Sequence, residues 1–355
     1  MIRIITFLST FLFFAFGSAY ADPKKVGFIY IGPPGDHGWT YMHDVGRKYM
    51  ESQLGDSITT TYLENIPENA DAVRAIRKLA DSGHDLIFTT SFNYMDQTHE
   101  VAKDFPDIKF EHATGYIQSD NVATYSARFY EGRMIEGHIA GHMTETNTIG
   151  YIASFPIPEV VRGINAFYLA AAKVNPDIKM KIIWVFTWYD PGKEADAANT
   201  LINQGADIIV QHTDTYAPCQ AAQKAGVYAF GQASNQEEFC PDAHLTSIED
   251  IWGPYYAARA KAVVDGTWSS GDTWDGMDKG MVVMSPYNNK LMPASLIQEA
   301  VNMEVGIKDG TIHPFTGPIY NQAGELVVPD GEVAPDGMLL GMNFYVQGID
   351  GEVPQ

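Results

Sequence analysis

The sequence predicts an α/β protein built from two doubly wound, parallel-sheet lobes that are joined by hinge crossings. Short apolar runs alternate with helical patterns, and no low-complexity linker separates the two halves. Apolar runs of this length are typical of strands buried on both faces of a parallel sheet. Residues 79–87 and 201–209 also share one pattern of helix, glycine, aspartate and apolar strand. This repeat indicates an internal duplication, although chance agreement between two ordinary helix–strand loops is the alternative.

The elements of the first half follow in order along the chain. An apolar strand at residues 25–31 stops at a turn of glycine and proline, and a second strand is predicted at 59–63. Asn69 has the character of a helix N-cap, and apolar residues recur at helical spacing until Gly83 ends the helix. A strand at 85–89 completes this unit.

The second half contains the same kinds of element. Its predicted elements are strands at 148–152, near 182–186, at 207–211 and at 228–230, a helix at about 158–174 and a helical face that ends at Gly205. We therefore assign lobe 1 to residues 22–145 and lobe 2 to residues 146–270. Residues 271–355 are rich in glycine and proline, and we expect them to return to lobe 1 and form a C-terminal tail.

Residues 1–21 have the pattern of a secretory signal peptide. Arg3 precedes a short apolar run, and small residues around Ala21 form a cleavage site. The run is too short to span a bilayer, so we expect a soluble periplasmic chain cleaved near Ala21 and not inserted in the membrane. A buried N-terminal helix is the alternative interpretation.

Charge and cysteine content narrow the functional classes. The formal net charge of −21 argues against nucleic acid as a partner, because phosphates require clusters of lysine and arginine. It also disfavours binding to anionic membranes. Cys219 and Cys240 are expected to form a disulfide in an oxidising compartment, with two free buried thiols as the alternative.

The motifs of common catalytic sites are missing from the sequence. It has no G-x-S-x-G, H-E-x-x-H or P-loop pattern, and its acidic residues are too scattered for a metal-dependent hydrolase. His138 and His142 lie four residues apart on a predicted helix, a spacing that is more often found in surface or core pairs than in metal sites. We therefore expect a binding protein rather than an enzyme, with no cofactor and no metal.

The loops that follow the predicted strands contain many aromatic and amide residues. Ligands of open α/β sheets bind at such loops, beyond the carboxyl ends of the strands. Trp39 and Trp188, one from each lobe, could sandwich a flat ring, with ordinary packing between the lobes as the alternative. The further candidate ligand-binding residues are Phe92, Asn93, Asp190, Gln211, Asp214, Gln232 and Asp250.

Four segments resemble a known family. They are residues 36–41, Glu131-Gly132 with Gly137 and Ala140, residues 163–167 with Asn175-Pro176, and residues 204–207. Together they resemble the basic membrane protein group of ABC-transporter solute-binding proteins, whose characterised members bind purine nucleosides or bases. The resemblance runs from about Lys24 to about Asn288, although Ala127 stands where the family has phenylalanine. It implies a type I periplasmic binding fold, a small purine ligand and an ABC permease as partner.

Two departures from the family pattern concern the ligand. Ala233 replaces an aspartate that holds ribose hydroxyls in nucleoside-binding members, and Asp250 replaces their downstream lysine. The resemblance therefore implies a free base, with adenine favoured. The alternatives are a nucleoside-binding protein that contacts ribose through Gln232 or Glu249, a sensor that presents its ligand to a signalling partner, and a periplasmic hydrolase.

Overall fold

The computed structural model describes residues 22–355, so the predicted signal peptide lies outside the described residues. Its strands are β1 (Lys24–Ile29), β2 (Ile58–Leu63), β3 (Leu86–Thr89), β4 (Lys109–Ala113), β5 (Val122–Ala127), β6 (Thr148–Ala153), β7 (Lys179–Trp184), β8 (Ile208–His212), β9 (Tyr228–Gly231), β10 (His244–Asp250), β11 (Asp272–Asp275), β12 (Val282–Met284), β13 (Ile319–Tyr320) and β14 (Leu326–Val328). Its α-helices are α1 (Trp39–Leu54), α2 (Ala70–Asp81), α3 (Met95–Ala102), α4 (Tyr130–Met143), α5 (Pro158–Val174), α6 (Pro191–Asn203), α7 (Ala217–Ala225), α8 (Gly253–Val264), α9 (Ala294–Lys308) and α10 (Asp336–Leu340).

Two six-stranded sheets form the centres of the two lobes. The first sheet has the order β11-β5-β4-β3-β1-β2, and the second has the order β12-β10-β9-β8-β6-β7. All neighbours in both sheets are parallel except β12, which runs antiparallel to β10. The α/β class predicted from the sequence is confirmed. The first five strands of each lobe have one common order, as the predicted duplication requires.

The two repeated helix–strand segments share their turn geometry. Gly83 and Gly205 are the residues directly after the C-cap residues of α2 and α6, and they adopt positive φ angles of 74° and 97°. An L-residue with a Cβ atom is strained in this region, so glycine is the residue that ends each helix sharply and sends the chain into the next strand. The glycine in the repeated pattern therefore has the same physical role in both lobes.

The chain passes between the lobes at residues 128–129, 251–252 and 276–281. These positions differ from the predicted boundaries at 145 and 270. Helix α4 packs on α5 of lobe 2, whereas α8 packs on α1 of lobe 1. Hydrophobic periodicity identifies a helix but does not say which sheet it covers, so the predicted lobe 1 includes the residues of α4 and the predicted lobe 2 includes those of α8.

The C-terminal segment also departs from the prediction. Only β11 of residues 271–355 joins the sheet of lobe 1, while β12 joins lobe 2. Helix α9 packs on α4, and α10 packs on α5. The remaining tail is fixed to lobe 2 by Asn165, whose side-chain amide donates to Phe344 O at 2.8 Å and accepts from Val346 N at 3.1 Å.

Cys219 and Cys240 are joined by a disulfide, as expected, with their Cα atoms 5.8 Å apart. The bond connects α7 to the segment that leads into β10. Among residues 22–355, no helix has the length and apolar character needed to cross a membrane.

Candidate ligand-binding site

A pocket lies between the two lobes, where the carboxyl ends of both sets of parallel strands meet. Its walls enclose about 340 Å³, part of it open to solvent. Its walls are formed by Ile31, Trp39, Ser91, Phe92 and Thr114 of lobe 1 and by Glu159, Trp188, His212, Asp214 and Gln232 of lobe 2. This is the position at which open α/β sheets bind their ligands.

The wall from lobe 1 is apolar or already hydrogen-bonded. Trp39 donates from Nε1 to the carbonyl oxygen of Thr90 at 2.7 Å. The hydroxyl of Ser91 donates to Glu68, and that of Thr114 donates to Ala113 O at 2.8 Å. Lobe 1 therefore presents aromatic surface and no unsatisfied polar side chain among the residues that line the pocket.

The position of Trp39 is set by the start of α1. The buried carboxylate of Asp36 accepts hydrogen bonds from the backbone N–H groups of Gly38, Thr40 and Tyr41 at 2.9, 3.1 and 2.9 Å. Those of Thr40 and Tyr41 are among the N–H groups that a helix leaves without partners at its first turn. Asp36 thus caps the helix and fixes the indole at the pocket wall.

The wall from lobe 2 is different because it contains unsatisfied polar atoms. Trp188 Nε1, His212 Nδ1 and Asp214 Oδ2 are buried and have no hydrogen-bond partner within residues 22–355. A buried polar atom without a partner costs about 1–3 kcal/mol. A ligand that supplied partners to these three atoms would remove that cost, so this wall is suited to recognising the edge of a polar ring.

Burial also sets the protonation of this wall. Removal from water raises the pKa of Asp214 well above its ordinary value, and the nearby carboxylates of Asp36 and Glu194 raise it further. Burial lowers the pKa of His212, although its Nε2 lies 3.5 Å from Glu159 Oε1. The neutral forms of both side chains are therefore favoured in the ligand-free pocket.

Gln232 is oriented by a buried arginine. Arg133 donates to the Gln232 side-chain oxygen, to the carbonyl oxygen of Gln211 at 2.6 Å and to the Glu136 carboxylate at 2.7 Å. With its oxygen engaged, Gln232 is left with its NH₂ group as the free end. The amide therefore acts as a hydrogen-bond donor toward the pocket.

Five of the predicted site residues line this pocket: Trp39, Phe92, Trp188, Asp214 and Gln232. The remaining four do not line it. Asn93 donates to Glu68 at 2.9 Å, and Asp190 accepts from Lys193 N at 3.0 Å as the N-cap of α6. Gln211 and Asp250 are fully buried behind the wall.

Sequence reasoning missed Ile31, Ser91, Thr114, Glu159 and His212 as individual candidates. Three of them follow the ends of strands and His212 is the last residue of β8, so the strand-end rule could have identified these four. Glu159 lies in the first turn of α5, where an acidic residue is the ordinary partner of the helix dipole. Nothing in its sequence context separates that role from a place in the pocket.

A second, larger cavity adjoins the pocket. It has about 1260 Å³ of space, part of it open to solvent, and shares Phe92, Thr114 and Glu159 with the pocket. Its other walls include Arg162 and Trp274. A ligand held between the tryptophans could extend in this direction.

The two lobes touch on the side of the pocket formed by residues 37–38. The hydroxyl of Ser234 donates to the carbonyl oxygen of His37, whose imidazole Nδ1 lies 3.6 Å from Glu238 Oε1. A Cβ atom on Gly38 would lie 1.9 Å from the carbonyl oxygen of Asp214, so glycine permits this approach. The lobes are thus in a closed arrangement around the pocket.

Two lobes of the same topology, three crossings and a pocket closed between them define a solute-binding protein of the type I periplasmic binding class. Residues 23–316 match the family model described as ABC transporter substrate-binding protein, PnrA-like. The chain belongs to this family. The tail beyond residue 316 lies outside the matched region.

Two relatives are named as binding proteins, and their named ligands differ. The chain is 57% identical over 340 residues to a purine-binding protein of Brucella abortus (strain 2308), covering 96% of this chain and 97% of that one. It is 35% identical over 338 residues to a putative ABC transporter glucose-binding protein of Haloferax volcanii, covering 95% and 83%. A solute-binding protein structure from Aeropyrum pernix K1 covers 82% of this chain and 93% of its own, with a TM-score of 0.72 at 18% identity, and supports the fold alone.

Proposed function

We propose that this protein captures a purine base, with adenine favoured, and delivers it to an ABC uptake transporter. The observation that carries the proposal is the asymmetric pocket, with a tryptophan on each wall and three unpartnered polar atoms on the wall of lobe 2. Base–aromatic stacking contributes about 1–3 kcal/mol per base, but it does not select among bases. Selection then depends on the polar wall.

The polar groups of that wall match the edge of a purine. Asp214 can accept a hydrogen bond from an exocyclic amine, and the NH₂ group of Gln232 can donate to a ring nitrogen. Adenine carries one exocyclic amine together with several acceptor nitrogens, which suits one acceptor and one donor.

The residues matched to ribose-binding positions support a base without a sugar. Ala233 and Asp250 are both fully buried, and Asp250 N donates to Ala233 O at 2.9 Å. Neither side chain lines the pocket. The purine-binding protein of B. abortus, at 57% identity, supports the ligand class.

A purine nucleoside is the second candidate, and the adjoining cavity favours it. That cavity begins at Phe92, Thr114 and Glu159, so a substituent on the base could extend into it. Arg162 and Asp272 on its walls could bind hydroxyl groups. The glucose-binding name of the H. volcanii relative makes a sugar a ligand to test as well.

The deciding experiment is calorimetric titration of ligand-stripped protein with adenine, guanine, adenosine, ribose and glucose in parallel. We expect tight binding of adenine and weaker binding of adenosine. Tight binding of adenosine would instead favour the nucleoside candidate. Binding of glucose alone would exclude the purine proposal.

Delivery is a separate part of the proposal and needs its own test. We propose that residues 1–21 direct the chain to the periplasm and that the closed, loaded form docks on a permease. Stimulation of ATP hydrolysis by a reconstituted permease, dependent on both protein and ligand, would support delivery. High-affinity binding without any such stimulation would favour a sensor that presents the ligand to a signalling partner.

A further inference from the structure

Two histidines and a glutamate meet on the outer face of lobe 2, away from the ligand pocket. His138 and His142 are four residues apart on α4, and Glu299 projects from α9, which packs beside α4. His138 Nε2 lies 3.0 Å from Glu299 Oε2, and His142 Nε2 lies 3.6 Å from the same oxygen. The two imidazole centroids are 4.8 Å apart.

These distances fit a shared cation. Ligand atoms of tetrahedral Zn²⁺ are about 3.3 Å from one another when each bond is about 2.0 Å. The two nitrogen–oxygen distances lie on either side of this value, and one potential ligand atom from each of the three side chains lies within 4.8 Å of the others. Two histidines and one glutamate are a recognised zinc ligand set, which leaves a fourth position for water.

Exposure permits an ion to enter. The side chains of His138, His142 and Glu299 are 19%, 42% and 51% exposed. Residues four apart on a helix lie on the same face, so both imidazoles reach the groove between α4 and α9. The spacing of the histidines alone predicts a surface pair. The third side chain, Glu299, is brought beside them by the packing of α9, which lies far along the chain.

We propose that His138, His142 and Glu299 form a binding site for one Zn²⁺ ion that links α4 to α9. Helix α4 follows the first crossing between the lobes, and α9 also packs on the 3₁₀ helix Met277–Lys279 within the third crossing. A metal bridge would therefore join the helices that border two of the three crossings. It would stabilise lobe 2 without touching the ligand pocket.

The test is zinc titration of untagged wild-type protein and of three variants, His142→Ala, Glu299→Gln and His99→Ala. His99 is a partly exposed histidine of lobe 1 that serves as the matched control, and Glu299→Gln keeps a hydrogen-bond acceptor for the histidines while removing the charge. We expect one Zn²⁺ per chain in the wild type and in His99→Ala, and affinity at least about tenfold weaker in the other two variants. Zinc should raise the melting temperature of the wild type and of His99→Ala more than that of His142→Ala and Glu299→Gln.

Two outcomes would overturn the site. One is a wild type that retains no more zinc after dialysis than the His142→Ala and Glu299→Gln variants. The other is a loss of zinc affinity in His99→Ala as large as that in His142→Ala and Glu299→Gln, which would indicate non-specific binding to surface histidines. Adenine titration of the same variants is independent of both outcomes, because none of the three residues lines the pocket.

Discussion

The two walls of the pocket come from lobes with the same strand order, yet they differ in chemistry. The polar side chains on the lobe 1 wall have partners of their own, such as the Thr90 carbonyl oxygen for Trp39. On the lobe 2 wall, Trp188, His212 and Asp214 each keep a buried atom without a partner among the described residues. A repeated scaffold therefore supplies a stacking surface on one side and polar recognition on the other.

This difference assigns separate tasks to the walls. An apolar surface contributes affinity for many flat rings, whereas unsatisfied polar atoms discriminate strongly, because a ligand that lacks the matching group leaves them unpaired. We therefore expect substitutions on the lobe 2 wall to change which ligand is preferred. Substitutions on the lobe 1 wall should weaken all flat ligands more evenly.

The largest effect on affinity is expected for Asp214→Asn. A buried hydrogen-bonding group that loses its partner costs about 1–3 kcal/mol, so an amide that turns its NH₂ group toward the exocyclic amine should weaken adenine binding about 5- to 150-fold by calorimetry. The ligand-free variant should at the same time be more stable than the wild type, because a buried, poorly partnered carboxyl group is removed. Unchanged affinity would place Asp214 outside the recognition of the ligand.

The same variant tests the protonation of the pocket. Since burial raises the pKa of Asp214 in the folded protein, the unfolded chain ionises first as the pH rises above about 4. Ionisation then favours the unfolded chain, and wild-type stability falls with increasing pH relative to Asp214→Asn. Urea denaturation of both ligand-free proteins from pH 4 to pH 8 should show the variant's advantage increasing with pH. An advantage that stays constant would contradict the raised pKa.

The next effect is expected for Trp188. Trp188→Ala should weaken base binding at least about tenfold, the loss expected for one stacking partner, without unfolding the protein. Trp188→Phe keeps one aromatic ring and removes the second ring together with the unpartnered Nε1–H, so it should lose less affinity than Trp188→Ala. Calorimetric titration of both variants measures the two losses. Equal losses would show that the remaining phenyl ring contributes no stacking with the base.

A smaller effect is expected for Gln232→Glu. Arg133 holds the Gln232 side-chain oxygen, so the substitution exchanges the donor group toward the pocket for an acceptor while the contact with arginine persists. Loss of one neutral hydrogen bond should weaken adenine binding about three- to tenfold. The comparison of the two walls also predicts a change in the relative affinities for adenine and guanine, because these bases differ in the hydrogen-bonding groups of their rings. Affinities reduced equally for both bases would argue against a selective role for Gln232.

The sequence was sufficient to predict the repeated scaffold and five of the residues that line the pocket. Apolar runs and glycine stops located the strands and helices, and aromatic residues after strand ends located both tryptophans. Asn93 and Asp190 do not line the pocket, because a polar residue after a strand can hydrogen-bond locally or cap a helix as readily as it can face a ligand. The lobe assignment of α4 and α8 depended on packing across the crossings, which local periodicity does not encode.

Matched glycine substitutions provide the smallest expected effect on binding and test the scaffold itself. Gly83 and Gly205 end equivalent helices with positive φ angles of 74° and 97°, and both are distant from the pocket walls. Alanine in this region costs about 1–2 kcal/mol, so Gly83→Ala and Gly205→Ala should each lower stability to denaturant by about that amount and leave adenine affinity unchanged. The larger φ angle predicts the greater loss for Gly205→Ala. Similar losses of stability in the two lobes would mean that both lobes retain the same turn geometry, and that they differ in the side chains after their strands. A change in adenine affinity from either alanine would mean that turn geometry and ligand recognition are coupled.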